Sequence, residues 1–170
     1  VVYEPVLQAD VPDNPLQSDR QIKMGIVGGG FGTSFQWHEH PNCIVHAVSD
    51  LRKDRRDQLI KVYKCDRTYE SLEKLILDPE IDAVAVFTGA PDHVRHCIMV
   101  MEAGKHVISA VPAAMSIEEC EQLLEAKKRT GRTYMMAETS WYRYYTIAAR
   151  ELYRQGKFGD LYYSEVEYYH

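Results

Sequence analysis

Ile22-Lys23-Met24-Gly25-Ile26-Val27-Gly28-Gly29-Gly30-Phe31-Gly32-Thr33 joins a short apolar, β-branched run to a cluster of glycines. That is the pattern of a strand feeding a phosphate-binding turn. Gly28 permits the tight turn, and Gly30 removes the Cβ that would otherwise hold a pyrophosphate off the backbone. A short helix is expected from Phe31 to about His40, stopped by Pro41, with its first N–H groups offered to the phosphates. The third glycine of G-x-G-x-x-G falls on Thr33, while a glycine stands one place early at Gly32. This implies a slightly looser approach of helix to strand. Glycine-rich turns without ligands are common, so the motif draws its weight from the residues downstream of it.

Ile44 to Asp50 reads as the second strand, and Asp50 stands 22 residues after Gly28. A carboxylate at this spacing is placed to accept from adenosine ribose hydroxyls, and it equally suits the cap of the next helix. Arg52, Arg55 and Arg56 follow closely, so a 2′-phosphate has candidate partners and NADP stands as the alternative to NAD. Further on, helices are expected over Lys53 to Tyr63 and through Leu72, Leu75 and Ile76, with a short strand near Arg67 between them. Ile81 to Phe87 is a nearly continuous apolar run, as in a central parallel strand. Thr88-Gly89-Ala90-Pro91 lies at its C-terminal end, where ligands of open α/β sheets gather. A helix over Asp92 to Ala103, a strand at His106 to Ser109, a helix capped by Ser116 and Glu119, and a strand at Thr133 to Ala137 complete the alternation. The capped helix is expected to bury Ile117, Cys120, Leu123 and Leu124, and His96 to face solvent. The fold class is therefore α/β, a Rossmann-type doubly wound parallel sheet.

Nine of the twelve tyrosines lie from Tyr134 onward. Trp141 to Gln155 reads as a helix, Gly156 to Asp160 as a turn and Leu161 to His170 as a strand without partners, the beginning of a truncated α+β second domain. The expected division is a Pro-containing arm over residues 1–20, a nucleotide-binding domain over 21–140 and the start of a substrate and oligomerisation domain over 141–170. Composition narrows the function classes. The 170 residues are 45% hydrophobic and 26% charged, with a net charge of -5. That charge argues against nucleic acid as a partner, and no stretch approaches the roughly 20 apolar residues of a membrane span. Cys43, Cys65, Cys97 and Cys120 are irregularly spaced without a C-x-x-C pair. They read as reduced thiols in a cytoplasmic protein. His38-Glu39-His40 has a metal-like look, but on a helix the two imidazoles point apart, so no metal site is expected.

With these residues in hand, the sequence resembles the glucose-fructose oxidoreductase / inositol dehydrogenase / rhizopine-catabolism (Gfo/Idh/MocA) family. The marks are the glycine turn, Asp50, Tyr69-Glu70-Ser71-Leu72-Glu73, Asp78-Pro79-Glu80-Ile81-Asp82-Ala83-Val84, Thr88 with His93, Glu102-Ala103-Gly104-Lys105-His106-Val107 and Gly156-Lys157-Phe158-Gly159-Asp160. The resemblance implies an NAD(P)-dependent oxidoreductase acting on a sugar, cyclitol or related polyol, homo-oligomeric at full length. Gly28, Gly30, Phe31, Gly32, Asp50, Thr88 and His93 are the cofactor-binding set it implies. Most of the family carries Glu-Lys-Pro after the fifth strand, where the lysine serves the substrate hydroxyl. This chain has Ala110-Val111-Pro112, and valine exchanges no proton. Glu138 with Tyr168 and His170 is the candidate replacement, and the trio looks like that of the NAD-dependent N-acetylgalactosaminidase branch, which cleaves glycosides without net redox change. Each member also has a plainer reading: Glu138 as a cap of the Trp141 helix, Tyr168 as an aromatic packing residue and His170 as a residue that stands out only because the sequence stops there. A dinucleotide-binding scaffold without catalysis is the third alternative.

Overall fold

The computed structural model describes residues 19–167. Most of the arm assigned to residues 1–20 therefore lies outside the described residues. The chain divides into two compact units, Val1–Met136 and Ala137–His170.

In the first unit β1 (Ile22–Val27), β2 (Cys43–Ser49), β3 (Thr68–Tyr69), β4 (Ala83–Val86), β5 (His106–Ser109) and β6 (Tyr134–Met136) form one sheet in the order β3-β2-β1-β4-β5-β6. Every pair of neighbouring strands is parallel, with Ile26 set between Val48 and Ala85. Ile26, Val48, Val84 and Val86 are fully buried, as expected for strands covered on both faces. The chain winds outward from β1 through β2 to β3 and from β4 through β5 to β6. Strand order therefore reverses between β1 and β4, the switch point at which open α/β sheets open a crevice.

Four helices cover the sheet: α1 (Lys53–Tyr63), α2 (Leu72–Leu75), α3 (His93–Glu102) and α4 (Ile117–Thr130). Leu72 and Leu75 of α2, Val94, Cys97, Val100 and Met101 of α3, and Leu123 and Ala126 of α4 pack with the strand valines in one core. The Ser116 half of the capping box is present, Glu119 N–H donating to Ser116 Oγ at 3.2 Å, while Glu119 Oε2 reaches one residue beyond the cap and accepts from Met115 N–H at 2.7 Å. The burial expected of α4 is corrected, since Ile117, Cys120 and Leu124 are exposed. Only the Leu123 and Ala126 stripe meets the core, because α4 packs on α3 with one narrow face.

The largest departure lies between β1 and β2. In place of one helix over Phe31 to His40 there are two 3-10 turns, Phe31–Ser34 and Trp37–Glu39. Gly32, Thr33 and Ser34 are poor helix formers, and an aromatic cluster fixes the segment by other means. The Phe35 ring stacks on Phe87 at 4.5 Å and on Trp37 at 5.4 Å, while Phe31 meets Phe35 and Phe87 edge-on.

The second unit holds a 3-10 turn at Ser140–Tyr142 and α5 (Tyr144–Arg154). Arg150 stacks over Trp141 at 4.5 Å. Gly156 and Gly159 take positive φ of 70° and 63° in the turn that follows. Residues 161–167 form no strand, which corrects the strand expected from Leu161. A strand exists by its ladder, and among the described residues no neighbour supplies one.

Candidate functional site

The C-terminal ends of β1, β2 and β4 frame a cleft of about 540 Å³. Its floor is the glycine turn. Gly28 sits at φ +101°, and a Cβ there would lie 2.2 Å from the Phe87 carbonyl oxygen. The turn is held by Gly28 N–H on Ser49 O at 2.9 Å and Gly32 N–H on Gly28 O at 3.0 Å. Gly30 is open to the cleft. Gly32 is buried, and a Cβ on it would stand 3.2 Å from the Phe87 ring and 3.3 Å from Ile26. Gly32 thus takes over the close-packing duty of the missing third glycine, and the looser approach inferred from Thr33 is corrected. Thr33 instead turns its hydroxyl onto Gly30 O at 3.0 Å. With only a four-residue 3-10 turn after the glycines, the helix N-terminus expected to face the phosphates is absent from this crossover.

Asp50 follows β2 immediately and lines the cleft. Its Oδ2 accepts from Gly29 N–H at 2.7 Å and its Oδ1 from Arg52 N–H at 2.8 Å. Each oxygen keeps a lone pair for a further donor. Ser49 Oγ, buried beside it, has no hydrogen-bond partner among the described residues. Thr88 also lines the cleft, and its Oγ1 meets His96 Nδ1 at 2.9 Å. The expectation that His96 faces solvent is corrected: its ring is buried and contributes to the lining. Arg95 Nη2 donates to His96 Nε2 at 2.9 Å. A guanidinium has no acceptor, so Nε2 accepts and the neutral ring carries its proton on Nδ1 toward Thr88. Burial, and then the Arg95 charge, hold His96 below the ordinary histidine range, which keeps it in that neutral form.

His93 is buried behind the lining. Its ring nitrogens face Thr88 O at 3.0 Å and Pro112 O at 2.8 Å, tying the loop after β4 to the loop after β5. Gly28, Gly30, Phe31, Asp50 and Thr88 therefore converge on the cleft, and Gly32 and His93 support it from beneath. Val111 is exposed in the β5 loop. Glu138 belongs to the second unit, where its Oε1 accepts from Ser140 N–H at 2.7 Å and so closes the 3-10 turn there. Tyr168 and His170 lie outside the described residues.

The fit to a dinucleotide follows from these contacts. The turn has no room for a side chain at Gly28 and none in the way at Gly30, and a carboxylate with free lone pairs stands beside it at the end of the next strand. A metal-like cluster, His46, Asp78 and Glu80, has a different occupant. Arg67 Nη1 sits at 2.9 Å from His46 Nε2 and at 3.0 Å from both Asp78 Oδ2 and Glu80 Oε2. His38 and His40 are exposed, His40 Nδ1 accepting from Asn42 N–H at 3.1 Å.

Residues 22–138 match the family model described as the Gfo/Idh/MocA oxidoreductase family, NAD-binding Rossmann fold. A glycosyl hydrolase family 109 protein of a Shewanella species is 33% identical over 131 residues, covering 77% of this chain and 28% of that protein. An alpha-N-acetylgalactosaminidase of Shewanella oneidensis is 31% identical over the same shares. Among solved structures, scyllo-inositol dehydrogenase of Lactobacillus casei with bound NAD(H) and scyllo-inositol superposes with a TM-score of 0.74 at 23% identity. That match covers 83% of this chain and 43% of the dehydrogenase. The chain thus spans less than a third of the length of these curated relatives and less than half of that solved structure. Among the described residues no helix is long and apolar enough to cross a membrane.

Proposed function

Because the chain belongs to the Gfo/Idh/MocA oxidoreductase family and carries its NAD-binding Rossmann fold, we propose that it serves an NAD-dependent oxidoreductase acting on a sugar, cyclitol or related polyol. The observation that carries the reading is the Gly28 turn packed on the Phe87 carbonyl with Asp50 bound to the Gly29 N–H. Gly28 and Gly30 let backbone approach the diphosphate, and the free lone pairs of Asp50 accept from ribose hydroxyls. A carboxylate at that position repels a 2′-phosphate, which supports NAD over NADP. Phe31 and Thr88 contact the cofactor, with Gly32 and His93 setting the shape of the loops beneath. Bound NAD supplies a hydride acceptor. Proton handling falls to Glu138, Tyr168 and His170, since Val111 holds no exchangeable proton. Titration of full-length protein with NADH, followed by fluorescence, tests the cofactor site. A net nicotinamide redox change with a polyol tests the reaction.

A second reading is favoured by the relatives named as glycosyl hydrolase family 109 and alpha-N-acetylgalactosaminidase. In it the hydride returns to the sugar, and a glycoside is cleaved with no net NADH. Hydrolysis of an aryl glycoside by the full-length protein, with solvent deuterium entering at sugar C2 and no NADH accumulating, selects this reading. NADH accumulation with a polyol selects the first.

A further inference from the structure

The cations around the glycine turn are not equivalent. Arg52 presents both ends of its fork to Asp54, Nε at 3.1 Å and Nη2 at 2.6 Å. Arg56 Nη1 donates to Asp50 O at 2.6 Å and Leu51 O at 3.2 Å, which pins the start of α1. Arg95 is held by Asp92 at 2.9 Å and by His96. Arg55 lines the cleft, and its guanidinium makes no hydrogen bond or ion pair among the described residues.

Its position is set from below. A Cβ on Gly29 would lie 2.7 Å from both the Cβ and the carbonyl oxygen of Arg55, so the first turn of α1 rests directly on the glycine turn. The side chain then runs over Gly30, where a Cβ would be 3.6 Å from Arg55 Nη1 and 3.8 Å from Cζ. A donor-only planar cation thus stands at van der Waals distance from the residue whose missing side chain opens the floor to a pyrophosphate. Where the crossover would ordinarily bring a helix N-terminus to this place, the glycines lead into a four-residue 3-10 turn. Diphosphate oxygens laid over Gly30 would therefore find little positive charge from the crossover and one uncommitted guanidinium beside them.

We infer that Arg55 is the diphosphate-binding cation of this cleft, replacing with a side chain the helix N-terminus that the β1–β2 crossover lacks. The inference rests on the dinucleotide reading above and names the residue that supplies its charge. Guanidinium suits the task because two parallel N–H donors match two phosphate oxygens.

The experiment compares adenosine, ADP, 2′-AMP and NADH as ligands of full-length wild-type protein and of Arg55→Met and Arg55→Lys, by calorimetric titration at low and moderate salt. Arg55→Met is expected to weaken ADP and NADH by about tenfold or more while leaving adenosine unchanged. It also flattens the salt dependence of ADP binding. Arg55→Lys restores part of the affinity as a point charge, and the melting temperature stays at the wild-type value in both variants because the Arg55 guanidinium bonds to no group among the described residues while its backbone and Cβ are kept. The inference is overturned if ADP binds Arg55→Met as it binds the wild type. Equal losses of adenosine and ADP overturn it in favour of stacking on adenine, and a loss confined to 2′-AMP in favour of a 2′-phosphate contact. Wild-type protein that binds neither NADH nor ADP rejects the dinucleotide reading itself, a result distinct from all of these.

Discussion

Two strains coincide at Gly28: a left-handed backbone with φ +101° and a neighbour, the Phe87 carbonyl oxygen, 2.2 Å from where a methyl group would stand. Gly28→Ala is expected to lower stability by about 2 to 3 kcal/mol, since a non-glycine residue in that conformation alone costs about 1–3 kcal/mol. NADH binding should be lost with it; urea denaturation and fluorescence titration read the two effects. A second residue-scale prediction concerns Asp78, whose side chain is 3% exposed. Burial by itself would push this carboxyl up, but the Glu80 N–H, the Arg67 guanidinium and the Tyr69 hydroxyl outweigh it and hold the group well below the usual carboxylate range. A lowered folded-state value means the contribution is complete above the unfolded value of about 4 and fades as pH falls below it. Asp78→Asn should therefore cost about 2 kcal/mol at neutral pH and flatten the acid limb of the stability profile. An unchanged limb, measured by denaturant titration between pH 2 and 7, would remove Asp78 from the account. The floor of the site was legible because glycine and Asp50 announce themselves by type and spacing. What Arg55 and His96 do was not, because it depends on which neighbouring acid or hydroxyl has already engaged each side chain, a matter of tertiary pairing that no spacing encodes.

Elements reveal where local pattern and packing disagree. Tyr63, at the last turn of α1, brings its hydroxyl to Gly32 O and to Phe35 O, the latter at 2.8 Å. Burial pushes its pKa up to about 12, so the hydroxyl remains a donor at every working pH. It ties α1 to the 3-10 crossover that carries the glycine turn. Tyr63→Phe is expected to cost about 1 to 2 kcal/mol and to weaken NADH by loosening the backbone under the diphosphate. Equal NADH affinity in the variant would show that the aromatic cluster alone holds the crossover. Most elements were legible from periodicity and caps: α1 runs Lys53–Tyr63 and β5 His106–Ser109, as read from the sequence. The crossover escaped because its length and Pro41 fit a helix, while the decisive contacts, Phe35 on Phe87 and Tyr63 on Gly32, come from residues distant in sequence. The stretch from Leu161 failed for the complementary reason. Its aromatic residues favour a strand, and among the described residues no partner is present to make one.

At the scale of the molecule, the reversal of strand order between β1 and β4 explains why the cleft residues lie at or beyond the C-terminal ends of the strands. The cleft therefore belongs to the Val1–Met136 unit, whose core is continuous from α2 through β4 to α4. The Ala137–His170 unit is of another kind: its α5 has no buried residue, and Tyr144, Tyr162 and Val166 are 83%, 98% and 89% exposed. A unit that buries so little apolar surface gains little cooperativity of its own. Scanning calorimetry of the 170-residue chain should therefore show a main transition from the first unit and a weak, low-temperature contribution from the second, rather than one two-state event. A ligand that binds only folded protein stabilises it by about 2.7 kcal/mol at a concentration of about a hundred times Kd. Saturating NADH should accordingly move the main transition upward, with the size of the shift following the logarithm of NADH concentration. A main transition that stays in place across that titration would mean that the cleft at the switch point does not hold the dinucleotide, whatever the relatives of this chain bind.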